Sequence, residues 1–403
     1  MSFYIKIHIH FINTILLIFL FMQAKGNAQD LKVSKPALNK IVRSSSSSTV
    51  INSTGKLLNF FKVNQGKGIL VGQQDMWREG RNRPEPGIIS DMGLVTGEEP
   101  SLMGLDFREI YHWPNVFWDK YKNWIVQFHN MGGVTTLSWH MDNPVSGKNF
   151  FDKTPAVRHI LPGGSHHQNY LTRLDKLAKF LKELRDSTGA TIPIILRPLH
   201  EHNGDWFWWS VTDRACQFLC FIEAFVEAAE AKADEDFINL WRFTVNYLRQ
   251  RKNVKNILIA YSPGVHRTGK DYLWRYPGDA FVDILGFDKY GPGIGAFKSA
   301  LLRVMEVARQ KNKVAALTET GHESIPNPKY WTEGILKEFK DNSELRKLSY
   351  VMFWRNSSND PKHYFSPFPG HPSAPDFESF YQDPFTLFLG DFNNQKSKFI
   401  DGL

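Results

Sequence analysis

Cysteine is nearly absent, and that narrows the class at once. Only Cys216 and Cys220 occur in 403 residues, and their spacing of four suits two buried thiols on one helix face better than a disulfide framework. No cysteine directly follows the apolar run from Phe11 to Met22, which argues against a lipid-anchored form. That run is also shorter than the ~20 residues a membrane-spanning helix needs. With Lys6 ahead of it, small residues at Gly26 and Ala28, and no acidic residue in positions 1–28, it reads as a signal peptide over 1–28. The expectation is a secreted or periplasmic protein with no membrane anchor after cleavage; an uncleaved anchor is the alternative. No glycine-rich dinucleotide fingerprint follows the first predicted strand. The formal charge of +8 is spread along the chain, which fits a solvated basic surface and no nucleic-acid partner.

What is present is a globular composition, 42% hydrophobic and 22% charged, with an aromatic share of 14% that includes 12 Trp. Large aromatic faces in a cleft grip the apolar faces of sugar rings, although many of these residues will serve the core. Residues 29–55 are polar, contain the run Ser44 to Ser48 and read as a flexible linker. From there the pattern changes to a single folded domain over 56–393, with a short tail over 394–403. Eight short apolar runs punctuate the domain: Gly68–Asp75, Ser101–Phe107, Gly133–His140, Pro193–Glu201, Asn256–Ser262, Val282–Tyr290, Val314–Thr320 and Leu348–Asn356. Each is nearly continuous rather than alternating, as strands buried on both faces of a parallel sheet require. Between them, Leu171, Leu174, Leu177, Ala178, Leu181 and Leu184 fall at helical spacing, as do Phe297, Leu301, Val304, Met305 and Ala308. Strand followed by helix, about eight times over, predicts an α/β fold of the (β/α)8 TIM-barrel type; a doubly wound open sheet is the alternative.

In such a barrel, polar residues at the C-terminal ends of strands face the mouth. The runs end in Asp75, Asp106, Trp139-His140, Arg197 with His200-Glu201, Asp288 with Tyr290, Glu319, and Trp354-Arg355. A charge at the end of an apolar run needs a partner or a task. Glu201 and Glu319 close the fourth and seventh runs, on nearly opposite sides of the mouth. Two facing carboxylates suit glycoside hydrolysis, one donating a proton and the other attacking or activating water. The alternative for each alone is an ion pair with Arg197 or Arg355.

Around Glu201 stands RPLHEHNGDWFWW, from Arg197 to Trp209; around Glu319 stands ALTETG; SWHMDNP (Ser138–Pro144) and FWRN (Phe353–Asn356) flank them. In this order, over roughly Leu57 to Leu389, these motifs resemble glycoside hydrolase family 26, best known for β-mannanases. The resemblance implies a retaining double displacement, with Glu201 as acid/base and Glu319 as nucleophile. It also implies substrate contacts from His140, His200, Trp206, Tyr290, Asp288, Trp354 and Arg355, with Tyr290 orienting the nucleophile and the two tryptophans acting as platforms. A β-mannan polysaccharide or oligosaccharide is then the substrate partner, cut internally by a monomer without cofactor or metal. Other β-glycans, β-1,3-xylan or mixed-linkage glucan, and release of mannobiose from chain ends are the alternatives. Ser210, where glycine often follows the tryptophan pair, and Ser324, where some members carry an aromatic, depart from the family pattern.

Two other classes compete. A zinc hydrolase could use His140, His200 and His202, with His166-His167 elsewhere, but neighbours on one strand point to opposite faces, which makes a common site for them unfavourable. A non-catalytic sugar-binding protein would keep Trp206, Trp208 and Trp354 but need not keep both carboxylates. The sequon Asn52-Ser53-Thr54 is a glycosylation acceptor only in a suitable host.

Overall fold

The computed structural model describes residue 51 and residues 53–81, 87–210, 223–264 and 272–400. The expected signal peptide, most of the expected linker, Asn52 of the sequon and both cysteines lie outside the described residues.

Each of the eight apolar runs forms one strand, β7 extending one residue past its run: β1 Ile69–Gln74, β2 Leu102–Asp106, β3 Val134–Ser138, β4 Ile194–Arg197, β5 Ile257–Tyr261, β6 Ile284–Tyr290, β7 Val314–Gly321 and β8 Tyr350–Phe353. All pair in parallel with their neighbours, and β1 pairs with both β8 (Leu70↔Tyr350) and β2 (Gly72↔Leu102), which closes the barrel. A short strand β9, Thr386–Leu387, adds to β1 from outside the ring. Helices Pro114–Asn130, His167–Glu183, Glu223–Asn246 and Lys298–Gln310 lie between strands. In His167–Glu183, Tyr170, Leu174, Leu177, Ala178 and Leu181 are buried at three- and four-residue spacing, so this face packs inward. The fold is a (β/α)8 barrel.

Every strand sends at least one side chain into a common interior cluster: Leu70, Leu102, Val134, Ile195, Leu258, Ile284, Val314 and Tyr350. Leu57, Phe60 and Phe61 of helix Thr54–Asn64 join the same cluster. This helix therefore seals the end of the barrel opposite the mouth. Its N-cap, Ser53, accepts from the Lys56 amide at 3.2 Å, so the first residues of this helix fall within the segment expected as linker. The boundary at 393 also moves. Helix Leu389–Ile400 runs through it, because Phe392 and Lys396 share one buried face four residues apart.

The run Pro193–Glu201 is a strand only as far as Arg197. Pro198 has no N–H for the ladder, and Leu199 and Glu201 take left-handed backbone with φ of 47° and 51°. Among the described residues, no helix is long and apolar enough to cross a membrane.

Candidate active site

Glu201 sits on that turn, beyond the end of β4, and its amide donates to the Ser262 carbonyl at 2.8 Å. Left-handed backbone at a non-glycine residue costs about 1–3 kcal/mol and persists where the surroundings over-determine it. Here Trp209 Nε1 on the His200 carbonyl (2.7 Å) helps to hold the turn. On this turn His200 is buried, while Glu201 faces the cleft.

Glu319 reaches the mouth by a different device. Between β6 and β7 the register slips, Phe287 pairing with Leu317 but Asp288 with Glu319, so Thr318 is an extra residue. The β7–β8 ladder is irregular over the same stretch. A bulge of this kind re-aims the side chains that follow it. Thr318 Oγ1 donates to Asp288 Oδ1 at 2.6 Å, and Glu319 turns toward the cleft.

Arg197 lies beneath both acids, with Nη1 2.7 Å from Asp288 Oδ2 and Nη2 on Glu319 Oε1. Burial disfavours its charge, but Asp288 and Glu319 more than restore it and raise its pKa. Glu319 is thus an ion-pair partner of Arg197 and a cleft residue at once. Tyr290 Oη donates to its other oxygen, Oε2, at 2.8 Å. Oxygens of Glu201, Asp288 and Glu319 all fall within 4.8 Å of one another. No other group of three or more metal-ligand side chains converges among the described residues. In particular His202 turns away, its Nε2 beside the Trp274 carbonyl and the Tyr261 hydroxyl.

Glu201 is shifted from the ordinary 4.5 to about 7, first by burial and then by the charge of Glu319. Trp206 Nε1 donates to its Oε2 at 2.7 Å and partly opposes the rise. Tyr290 is raised well above its usual range by burial and by Glu319, which keeps it a phenol that donates. His140 Nδ1 contacts Asp106 Oδ2 at 2.6 Å. Burial works against its charged form, but Asp106 overcomes this and raises it. His200 goes well below its usual value through burial, Arg197 and His140. The two rings meet with His140 Nε2 3.2 Å from His200 Nε2.

The cleft encloses about 570 Å³ and is lined by His140, Glu201, Trp206, Tyr290, Glu319 and Trp354 among the residues singled out from sequence. The remaining three do not line it. Asp288 is buried behind Glu319, held by Arg197 and Thr318. His200 is buried behind His140. Arg355 pairs with Glu79, which also pairs with Arg78, away from the wall. The cleft gains Phe151, Phe207, His322, Glu323, His363 and Phe365. Phe151 is 55% exposed and stacks on Phe207, ring centroids 5.9 Å apart at 19°. An exposed phenylalanine has no signal in sequence, but Phe207 lies within the motif around Glu201.

A (β/α)8 barrel with two carboxylates facing across an aromatic-walled mouth defines the glycoside-hydrolase class. The glycosyl hydrolase family 26 model matches residues 46–372, and the chain belongs to that family. It is 33% identical over 363 residues to a mannan endo-1,4-β-mannosidase of Bifidobacterium adolescentis, covering 82% of this chain and 34% of that protein. The chain thus spans about a third of that relative's length. Among solved structures, it resembles a family 26 β-mannanase from Bacteroides ovatus with a TM-score of 0.73 and 34% identity, covering 84% of this chain and 96% of the other. A modular endo-β-1,4-mannanase from Cellulomonas fimi gives a TM-score of 0.74 and 32% identity, covering 86% and 78%.

Proposed function

We propose that this protein is a retaining endo-β-1,4-mannanase, with Glu319 as nucleophile and Glu201 as acid/base. The observation that carries the reading is the pair of carboxylates whose oxygens lie within 4.8 Å across the cleft. That spacing suits direct attack, whereas an inverting pair stands roughly 6.5–9.5 Å apart to admit water. In the first step Glu319 attacks the anomeric carbon while the departing glycosidic oxygen takes the Glu201 proton. In the second, Glu201 removes a proton from water, which displaces Glu319 and releases the sugar with its original configuration. Tyr290 and Arg197 share the charge of Glu319 and fix its oxygens. His140 and the faces of Trp206 and Trp354 contact the sugar, with His200 behind His140 and Asp288 holding Arg197 behind Glu319. Mannan as substrate rests on the names of the three proteins above. Export through the N-terminal segment, with no lasting anchor, and action as a monomer belong to the same proposal.

The test is product analysis on linear mannan, galactomannan, β-1,3-xylan and mixed-linkage glucan. A ladder of manno-oligosaccharides is expected from the first two. Release only from the xylan or the glucan would move the substrate elsewhere, and release of mannobiose alone would mean action from a chain end.

Glu201 also sets a pH dependence. It must be protonated to act in the first step, so kcat/KM should fall as pH rises through about 7, with the apparent constant belonging to the coupled pair. In Glu319→Gln the like charge is gone but burial is not. The Glu201 carboxyl, followed by 13C NMR, should then titrate below 7 and still above the ordinary 4.5. An unmoved titration would show that the two acids do not sense each other.

A further inference from the structure

Beyond Glu319 the chain makes a turn that serves no step described so far. Ser324 and Ile325 both have positive φ, 61° and 39°. For a β-branched isoleucine this is a steric outlier, and such strain is kept where the surroundings enforce it. The enforcing contacts come from the segment after β8: the Ser324 amide donates to the Tyr364 carbonyl at 2.9 Å, and Ser324 Oγ donates to the Lys362 carbonyl at 2.6 Å. That segment is clamped in turn by Asn356, whose Oδ1 accepts from the amides of Phe365 and Ser366 at 2.8 and 3.0 Å. The product of this bracing is a polar stretch of cleft wall. Glu323 and His363, forty positions apart, meet with Nδ1 2.8 Å from Oε1, and both line the cleft beside Glu319. The Glu323 side chain is 56% exposed, and that of His363 only 25%. His363 Nε2 is buried with no hydrogen-bond partner among the described residues, a deficit that asks for a reason other than stability.

We propose that Glu323 is a sugar-binding residue that accepts hydrogen bonds from hydroxyls of a substrate ring neighbouring the reacting one, with His363 as its positioning residue. The inference rests on the glycanase reading of the same cleft. A carboxylate offers about four acceptor sites, and His363 occupies one. An exposed carboxylate held in place thus accepts from adjacent ring hydroxyls without first losing side-chain freedom. Ser324, a departure from the family pattern, supplies the hydroxyl that ties the turn down.

The experiment is titration calorimetry of the full chain with mannotetraose and with its singly deoxygenated derivatives, every protein carrying Glu319→Ala so that no sugar is cleaved, for the otherwise wild-type cleft, Glu323→Gln, His363→Ala and His363→Asn. Glu323→Gln is expected to weaken mannotetraose binding roughly tenfold, the loss of a hydrogen bond to a charged group. The deoxy sugar that costs wild type about as much should cost Glu323→Gln nothing further. His363→Ala should show part of that loss, and His363→Asn, which keeps a donor, should recover it. If every deoxy sugar penalises Glu323→Gln as it does wild type, Glu323 touches no hydroxyl and the proposal is wrong. Should Glu323→Gln not fold, the same cycle on the two His363 variants decides. If wild type binds no mannotetraose but binds a β-1,3-xylan or mixed-linkage tetrasaccharide, the mannan reading fails, and the cycle on that sugar still judges Glu323. Binding of none of them overturns both.

Discussion

Glu319→Ala is expected to lower kcat on mannan by roughly 10⁴-fold or more, the scale of deleting a nucleophile from a concerted site. No covalent adduct should form on any substrate. The protein should remain folded, because Asp288 still satisfies Arg197 through the 2.7 Å pair, so no buried charge is left alone. Small anions can enter the space vacated beside the anomeric carbon. Azide should therefore restore some turnover on an activated aryl β-mannoside, and a single displacement gives the α-azide. Steady-state kinetics with intact-mass spectrometry checks this result. An adduct on Glu319→Ala would place the nucleophile elsewhere.

Glu201→Ala should behave differently, and the difference depends on the leaving group. On mannan, whose departing oxygen needs the proton, the loss should be about 10²–10⁴-fold. An aryl mannoside with a good leaving group should still load Glu319, and the glycosyl-enzyme should accumulate because no base activates water for the second step. Azide, which needs no deprotonation, should release it as the β-azide. NMR of the azide product tests the assignment, since a β-azide from Glu319→Ala and an α-azide from Glu201→Ala would mean that the two roles are reversed.

The eight strands were legible in sequence because each is buried on both faces and so reads as an unbroken apolar run. Glu201 and Glu319 were legible for a related reason: a carboxylate closing such a run is costly unless it has a task. The devices that aim them left no such mark. The extra residue at Thr318 changes no apolar count, yet it turns Glu319 into the cleft. The left-handed backbone at Leu199 and Glu201 occurs in residues with no preference for it, and only the packed surroundings impose it. Arg355 follows the motif tryptophan, but its partner Glu79 lies 276 positions away, a distance that periodicity does not bridge. Asp288 closes a run just as Glu319 does; that it is spent on Arg197 rather than on the cleft emerges only when β4 and β6 are brought together. The Glu323–His363 wall joins two loops, and loop pairings leave no repeat to read.

In the proposed mechanism the carboxylates act by two displacements at one carbon. Proton NMR of the reducing end, recorded in the first minutes of hydrolysis of manno-oligosaccharides by the wild-type enzyme, tests it most directly. The β-anomer is expected to appear first, with the α-anomer growing in only as mutarotation proceeds. Appearance of the α-anomer first would mean a single inverting displacement by water, and would contradict the assignment of Glu319 as nucleophile.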